Sequence, residues 1–157
     1  MGEFLWVTNT EENREYYSDC AVDGLRLHFD WEIAPSLKTE LVRFVRYLRH
    51  EFYFPIRCHV YFKAKKAFAS QKKGKTCLGI FYDNSSYEKR YPQIFVAAEI
   101  SEEGSVCEIF ATLCHELTHY FQWYFLCDER QTDRGLEIQA AKYADRIVSD
   151  YLWFIGN

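Results

Sequence analysis

The spacing of apolar residues divides the chain into short extended runs and three longer helical ones. Val22, Leu25, Leu27, Phe29 and Trp31 largely alternate with polar residues, the period-two pattern of a half-buried strand. Leu37, Leu41, Phe44, Val45 and Leu48 then keep helical spacing behind Pro35, which predicts an amphipathic helix from Pro35 to about Phe52. Phe54-Pro55 ends it, because the residue before a proline is pushed toward extended backbone. Alternation resumes over residues 56–62, and two more strands are predicted near 76–82 and 93–98, separated by a polar, turn-rich stretch at 83–92. Residues 99–105 are acidic, contain Gly104, and would cap a helix running from Val106 to about Phe125. A last helix is expected from Glu137 to about Phe154. The polar residues 1–20 read as an N-terminal arm or helix. The order β-α-β-β-β-α-α predicts an α+β fold, one domain over residues 1–157 with a small mixed β-sheet packed on helices.

Within the Val106 helix, Tyr120, Phe121, Trp123, Tyr124 and Phe125 put aromatic rings on every face. That pattern predicts burial all round and places this helix at the centre of the core.

Composition sharpens the picture in three places. A chain of 157 residues with 48% hydrophobic and 18% aromatic content can build one well-packed core. A net charge of −4 and a pI near 5.7 argue against a generic nucleic-acid binder. The stretch 63–75 dissents, with six lysines and no acid. It reads first as a solvated loop between strands, and second as a docking surface for an acidic partner or for nucleic acid carrying a substrate protein. No apolar run approaches the ~18 residues of a membrane span. The N-terminus lacks a signal-peptide pattern, and Trp6 stands where a myristoylation signal needs Ser or Thr, so a cytoplasmic protein is expected. The six cysteines (20, 58, 77, 107, 114 and 127) contain no C-x-x-C pair and read as buried free thiols.

The chemistry is concentrated in His115-Glu116-Leu117-Thr118-His119, an H-E-x-x-H pentapeptide inside the helical stretch. Residues four apart on a helix share a face, so both imidazoles can reach one metal ion, and Glu116 sits where its carboxylate can take a proton from an attacking water. Chance alone produces the pattern in a chain of this length roughly 2% of the time. A catalytic zinc site also needs a third protein ligand and an open position. The longer motif H-E-x-x-H-x-x-G-x-x-H is excluded, since Gln122 and Phe125 stand where its glycine and third histidine would be. Downstream candidates are Cys127, Asp128, Glu129, Asp133, Glu137, Asp145 and Asp150. Glu137 is the best of them, because Glu137, Ala140, Ala141 and Ala144 form one stripe of the final helix. Small alanines let that helix approach another closely, and a short polar link (residues 127–134) would fold it back antiparallel. The competing reading makes Glu137 a solvated residue beside an alanine packing stripe. Cys114 points about 100° away from His115 and reads as core, while His28, His50 and His59 read as surface or satisfied polar residues.

His115 to His119 followed by Glu137 resembles a gluzincin-type zinc metallopeptidase. The downstream pattern E-x-x-A-x-x-Y-A (Glu137, Ala140, Tyr143, Ala144) is most similar to the ImmA/IrrE peptidases, as are Leu78-Gly79-Ile80-Phe81-Tyr82 and Gln93-Ile94-Phe95-Val96-Ala97 upstream. The resemblance covers the second half of the chain, from Thr76 to about Tyr151. It implies a zincin-like fold and one zinc ion per chain, held by His115, His119 and Glu137 with Glu116 as general base. It further implies endopeptidase action on an intracellular protein or peptide, with regulatory helix-turn-helix repressors as the substrate class. Residues 93–98 would form the cleft rim on which an extended peptide adds as a strand. Arg130, Arg134 and the tyrosines all remain open as donors to the oxyanion. The alternative is a non-catalytic metal-binding or protein-binding module on the same scaffold.

Overall fold

The structure, a computed structural model, describes residues 4–17, 23–70, 74–83, 91–100, 104–126 and 133–156. Among these residues it is a mixed α+β fold of four helices, a small mixed sheet and a separate two-stranded one. The first helix, α1 (Glu11–Tyr16), starts at Thr10, whose hydroxyl accepts from the Asn13 N–H at 3.1 Å, and carries Glu11 and Glu12 in its first turn. Ahead of it the chain is no loose arm. Trp6 and Val7 are buried, the Trp6 indole N–H donates to Thr118 Oγ1 at 3.0 Å, and Thr8 bridges to Phe52.

The strand β1 (Leu25–Phe29) is shorter than the alternation suggested. Val22 lies outside the described residues, and Trp31 sits in the turn after the strand, 90% exposed. From there α2 (Pro35–Glu51) buries Leu41, Phe44, Val45 and Leu48 on one stripe, as its spacing demands. Phe52 turns extended (φ −132°, ψ 151°) while its N–H still bonds the Leu48 carbonyl, so the helix stops before Phe54-Pro55. The chain then enters β2 (Cys58–Lys63), with Cys58, Val60 and Phe62 buried against the helices and His59, Tyr61 and Lys63 on the opposite face.

The basic stretch 63–75 is only partly a loop. Lys63 belongs to β2 and pairs with Asp30 at 3.0 Å, and Phe68–Ala69 forms a short strand, β3. Residues 71–73 lie outside the described residues. The single strand expected near 76–82 is two strands broken at Leu78. Thr76–Cys77 (β4) pairs with β3, whereas Gly79–Tyr82 (β5) joins the main sheet. Gln93–Ala97 (β6) completes that sheet.

The order across the sheet is β1-β2-β6-β5, with β1, β2 and β6 parallel and β5 antiparallel to β6. This corrects one expectation drawn from the resemblance. The strand β6, expected at 93–98 as the cleft rim, is hydrogen-bonded on both sides, to β2 and to β5, so it has no free edge for a peptide; among the described residues the free edge next to the helix that follows belongs to β5. On the face away from the helices, His28, Tyr61 and Phe95 stack across three strands, with ring centroids 4.5 and 4.9 Å apart.

Two long helices lie on the other side, one packed on the sheet and the second packed on the first. The helix α3 (Val106–Leu126) buries Ile109, Phe110, Leu113, Cys114, Leu117, Tyr120 and Phe121. Its burial fades at the C-terminal end, where Trp123, Tyr124 and Phe125 are half-buried, so all-round aromatic content overstated the burial of the last turn. The helix α4 (Asp133–Gly156) starts a turn earlier than the Glu137 expected from sequence. It runs antiparallel to α3, since Gln122 meets Leu136 near one end of the pair while Phe110 meets Tyr151 near the other. Ala140 and Ala144 of the expected alanine stripe are buried at this contact, whereas Ala141 is exposed. The core knits together where Phe44 of α2 stacks on Phe110 at 4.2 Å and meets Tyr151 edge to face at 4.8 Å. Among the described residues, no helix is long and apolar enough to cross a membrane.

Candidate metal centre

The three residues of the sequence hypothesis meet in space. The Nε2 atoms of His115 and His119 lie 2.9 and 2.8 Å from the two carboxylate oxygens of Glu137. Helical spacing brings the two imidazoles together on α3, with centroids 4.9 Å apart. The antiparallel return of α4 supplies the carboxylate. All three donor atoms fall within 4.8 Å of one another, so the group could hold one metal ion. Two imidazoles and a carboxylate converging this closely suit a small divalent ion of borderline softness, with a further position left for solvent or substrate.

The site lies on the floor of a cleft of about 1190 Å³, bounded by α3, α4 and the free edge of β5. His115 and His119 are largely covered, whereas the Glu137 side chain is 59% exposed and faces the open space. Burial lowers the pKa of His115, opposed by its hydrogen bond to Glu137.

Glu116 is the buried acid of the group, at 8% exposure. Burial first, and the nearby Glu137 charge second, push its carboxyl up from 4.5 to about 8. Gly79 of β5 explains how it is covered. A Cβ at that position would stand 2.8 Å from Glu116 Cγ and 2.8 Å from Thr112 Cγ2, so only a residue without a side chain lets the strand edge lie this close to α3. Nothing local in the sequence marks this role beyond a glycine inside a strand pattern.

A second residue was missed by the sequence reading, which noted Gln122 only as a break in a longer motif. Gln122 is buried. Its Oε1 lies 2.7 Å from His119 Nδ1, and its Nε2 donates to the Leu136 carbonyl at 2.9 Å and to Gln139 Oε1 at 2.8 Å. Its position three residues after His119 was the available signal, because i and i+3 are neighbours on a helix.

The remaining candidates separate cleanly. Cys127, Asp128, Glu129 and Arg130 lie outside the described residues, and the same holds for the Asp133 side chain. Asp145 lines the cleft but does not join the ligand group, and Asp150 is exposed on α4. Arg134 is exposed and is not part of the cleft wall, while Tyr82 is the one tyrosine among the described residues that lines it. His28 and His59 bond each other at 2.9 Å on the far face of the sheet, and His50 is exposed beside Glu51. Of the cysteines, Cys58 and Cys114 are buried free thiols whose pKa burial raises. Cys77 and Cys107 are half-buried, and Cys20 and Cys127 lie outside the described residues. No family model, curated protein or solved structure matches this chain.

Proposed function

We propose that this protein is a zinc-dependent endopeptidase with a zincin-like fold, of the gluzincin type and most similar to the ImmA/IrrE peptidases. The convergence of His115, His119 and Glu137 beside a buried Glu116 in an open cleft carries the reading. His115, His119 and Glu137 would hold one zinc ion. When bound, zinc supplies Lewis acidity, bringing the pKa of a coordinated water toward ~7 and polarising a carbonyl.

The chain's own residues supply the rest. Glu116 takes the proton of the attacking water and passes it to the leaving amine, a role suited to a carboxylate that lines the cleft next to His115. The surroundings of Gly79 keep that carboxylate covered, which limits the water that reaches it. Among the described residues β5 is the edge strand along the cleft, so an extended substrate segment would add there as a further strand. The substrate would be an intracellular protein, with a regulatory or repressor protein the class suggested by resemblance.

The test is zinc stoichiometry by plasma mass spectrometry on wild type, His119→Ala and Glu137→Ala, followed by a proteolysis screen of wild type against Glu116→Gln. About one zinc per chain, lost in the ligand variants, with cleavage abolished in Glu116→Gln, is the expected result. Stoichiometric zinc with a cellular activity that survives Glu116→Gln would replace the enzyme by a metal-binding recognition module. No zinc in wild type would remove both.

A further inference from the structure

We infer that Gln122 is a positioning residue of the metal centre, its one carboxamide aligning ligands that arrive from two different helices. The inference rests on the zinc reading above. A carboxamide can face either way, and here its neighbours choose. The Leu136 carbonyl can only accept, so the NH2 group must be the end that faces it, and Gln139 Oε1 takes the second N–H. The oxygen alone is left for His119, so it accepts from Nδ1–H at 2.7 Å. Nε2 is then the nitrogen whose lone pair is available to a metal, and it is the nitrogen that faces Glu137 at 2.8 Å.

The other end of the same amide acts on the second helix. Leu136 immediately precedes Glu137, so bonding its carbonyl holds the first turns of α4 against α3 at the level of the ligands. Gln122 is 4% exposed, so water does not substitute for these bonds at low cost. The carboxamide thus selects the ring nitrogen of His119 and fixes the approach of Glu137 with three hydrogen bonds.

Two substitutions separate this role from plain helix-to-helix packing. Gln122→Met keeps length and volume but removes every bond. Gln122→Glu keeps an acceptor for His119 Nδ1–H but cannot donate to Leu136 or Gln139. Zinc affinity is measured by competition with a chromophoric chelator, coordination by the visible spectrum of the cobalt(II) form, and stability by thermal unfolding after chelator treatment. We expect Gln122→Met to weaken zinc about 10–100-fold and to diminish the tetrahedral cobalt bands. Gln122→Glu should lose at least as much zinc-free stability as Gln122→Met, yet bind zinc more tightly than it does. Zinc affinity falling in proportion to zinc-free stability in both variants would reduce Gln122 to a packing strut and overturn the inference. Wild-type affinity in Gln122→Met would overturn it as well, with the zinc reading intact. Absence of zinc from wild type would overturn the zinc reading itself, and this inference with it.

Discussion

Gly79 and Glu116 are packed so closely that a methyl group cannot be placed between them: a Cβ on Gly79 would lie 2.8 Å from Glu116 Cγ. Gly79→Ala must therefore displace either the strand edge or the carboxylate. Overpacking of this kind costs about 1–3 kcal/mol. Hydrolysis should fall far more than zinc content, because the clash falls on the proposed base and on none of the three proposed ligands. Zinc stoichiometry and turnover measured on the same preparation check this. A variant with wild-type turnover would show that the position of Glu116 is not critical.

Glu116→Gln should retain zinc, since both histidines and Glu137 remain, and should lose about 10²–10⁴-fold in turnover. It also predicts a pH dependence. In chelator-treated protein, the Glu116 carboxyl is raised from 4.5 to about 8 in the folded state. A raised carboxyl favours folding while it is protonated in both states, and that contribution is lost as pH climbs from about 4.5 through about 8. His115 is shifted the other way, so its contribution declines as pH falls through its unfolded value near 6.5. Glu116→Gln removes the first effect and leaves the second. Unfolding curves from pH 5 to 9 should therefore show the variant gaining on wild type as pH rises, by at most ~1.4 kcal/mol per unit. Parallel curves would contradict the buried-carboxyl assignment.

Zinc should stabilise wild type, because only the folded chain assembles the three donors. At a zinc concentration 100 times its dissociation constant, the gain is ~2.7 kcal/mol. Glu137→Ala should abolish most of that gain while leaving the zinc-free melting temperature nearly unchanged, since its side chain is 59% exposed. Thermal unfolding with and without added zinc reads both quantities. A large loss of zinc-free stability would instead make Glu137 a structural tie between α3 and α4.

Phe44 stacks on Phe110, meets Tyr151 edge to face and is fully buried, so it joins α2 to both long helices. Phe44→Ala should destabilise the fold by about 3–5 kcal/mol, measured by denaturant unfolding. Zinc affinity at a temperature where the variant remains folded should stay near wild type, because the site is built on the far side of α3 from Phe44. Weakened zinc binding in the folded variant would show that the core transmits strain to the ligands.

Much of this protein is written locally. The alternation over Cys58–Lys63 and the i, i+3, i+4 stripe of Pro35–Glu51 produced the expected elements, because each pattern is satisfied by a single nearby surface to bury. The pairing of His115 with His119 was equally legible, since four residues along a helix return to one face. The alanine stripe pointed to Glu137, which lies beside both histidines. Local pattern failed where the outcome depends on distant partners. Residues 76–82 read as one strand, but Leu78 divides two segments that bond to different neighbours. Resemblance alone made residues 93–98 a rim strand, yet the place of Gln93–Ala97 inside the sheet follows from pairing with Cys58–Lys63 on one side and Gly79–Tyr82 on the other. The closeness of Gly79 to Glu116 and the bond from the Gln122 carboxamide to Leu136 were invisible for the same reason. Each is settled by atoms far away in the chain, brought near by helix packing and sheet order, and a one-dimensional pattern records periodicity but not which surfaces finally touch.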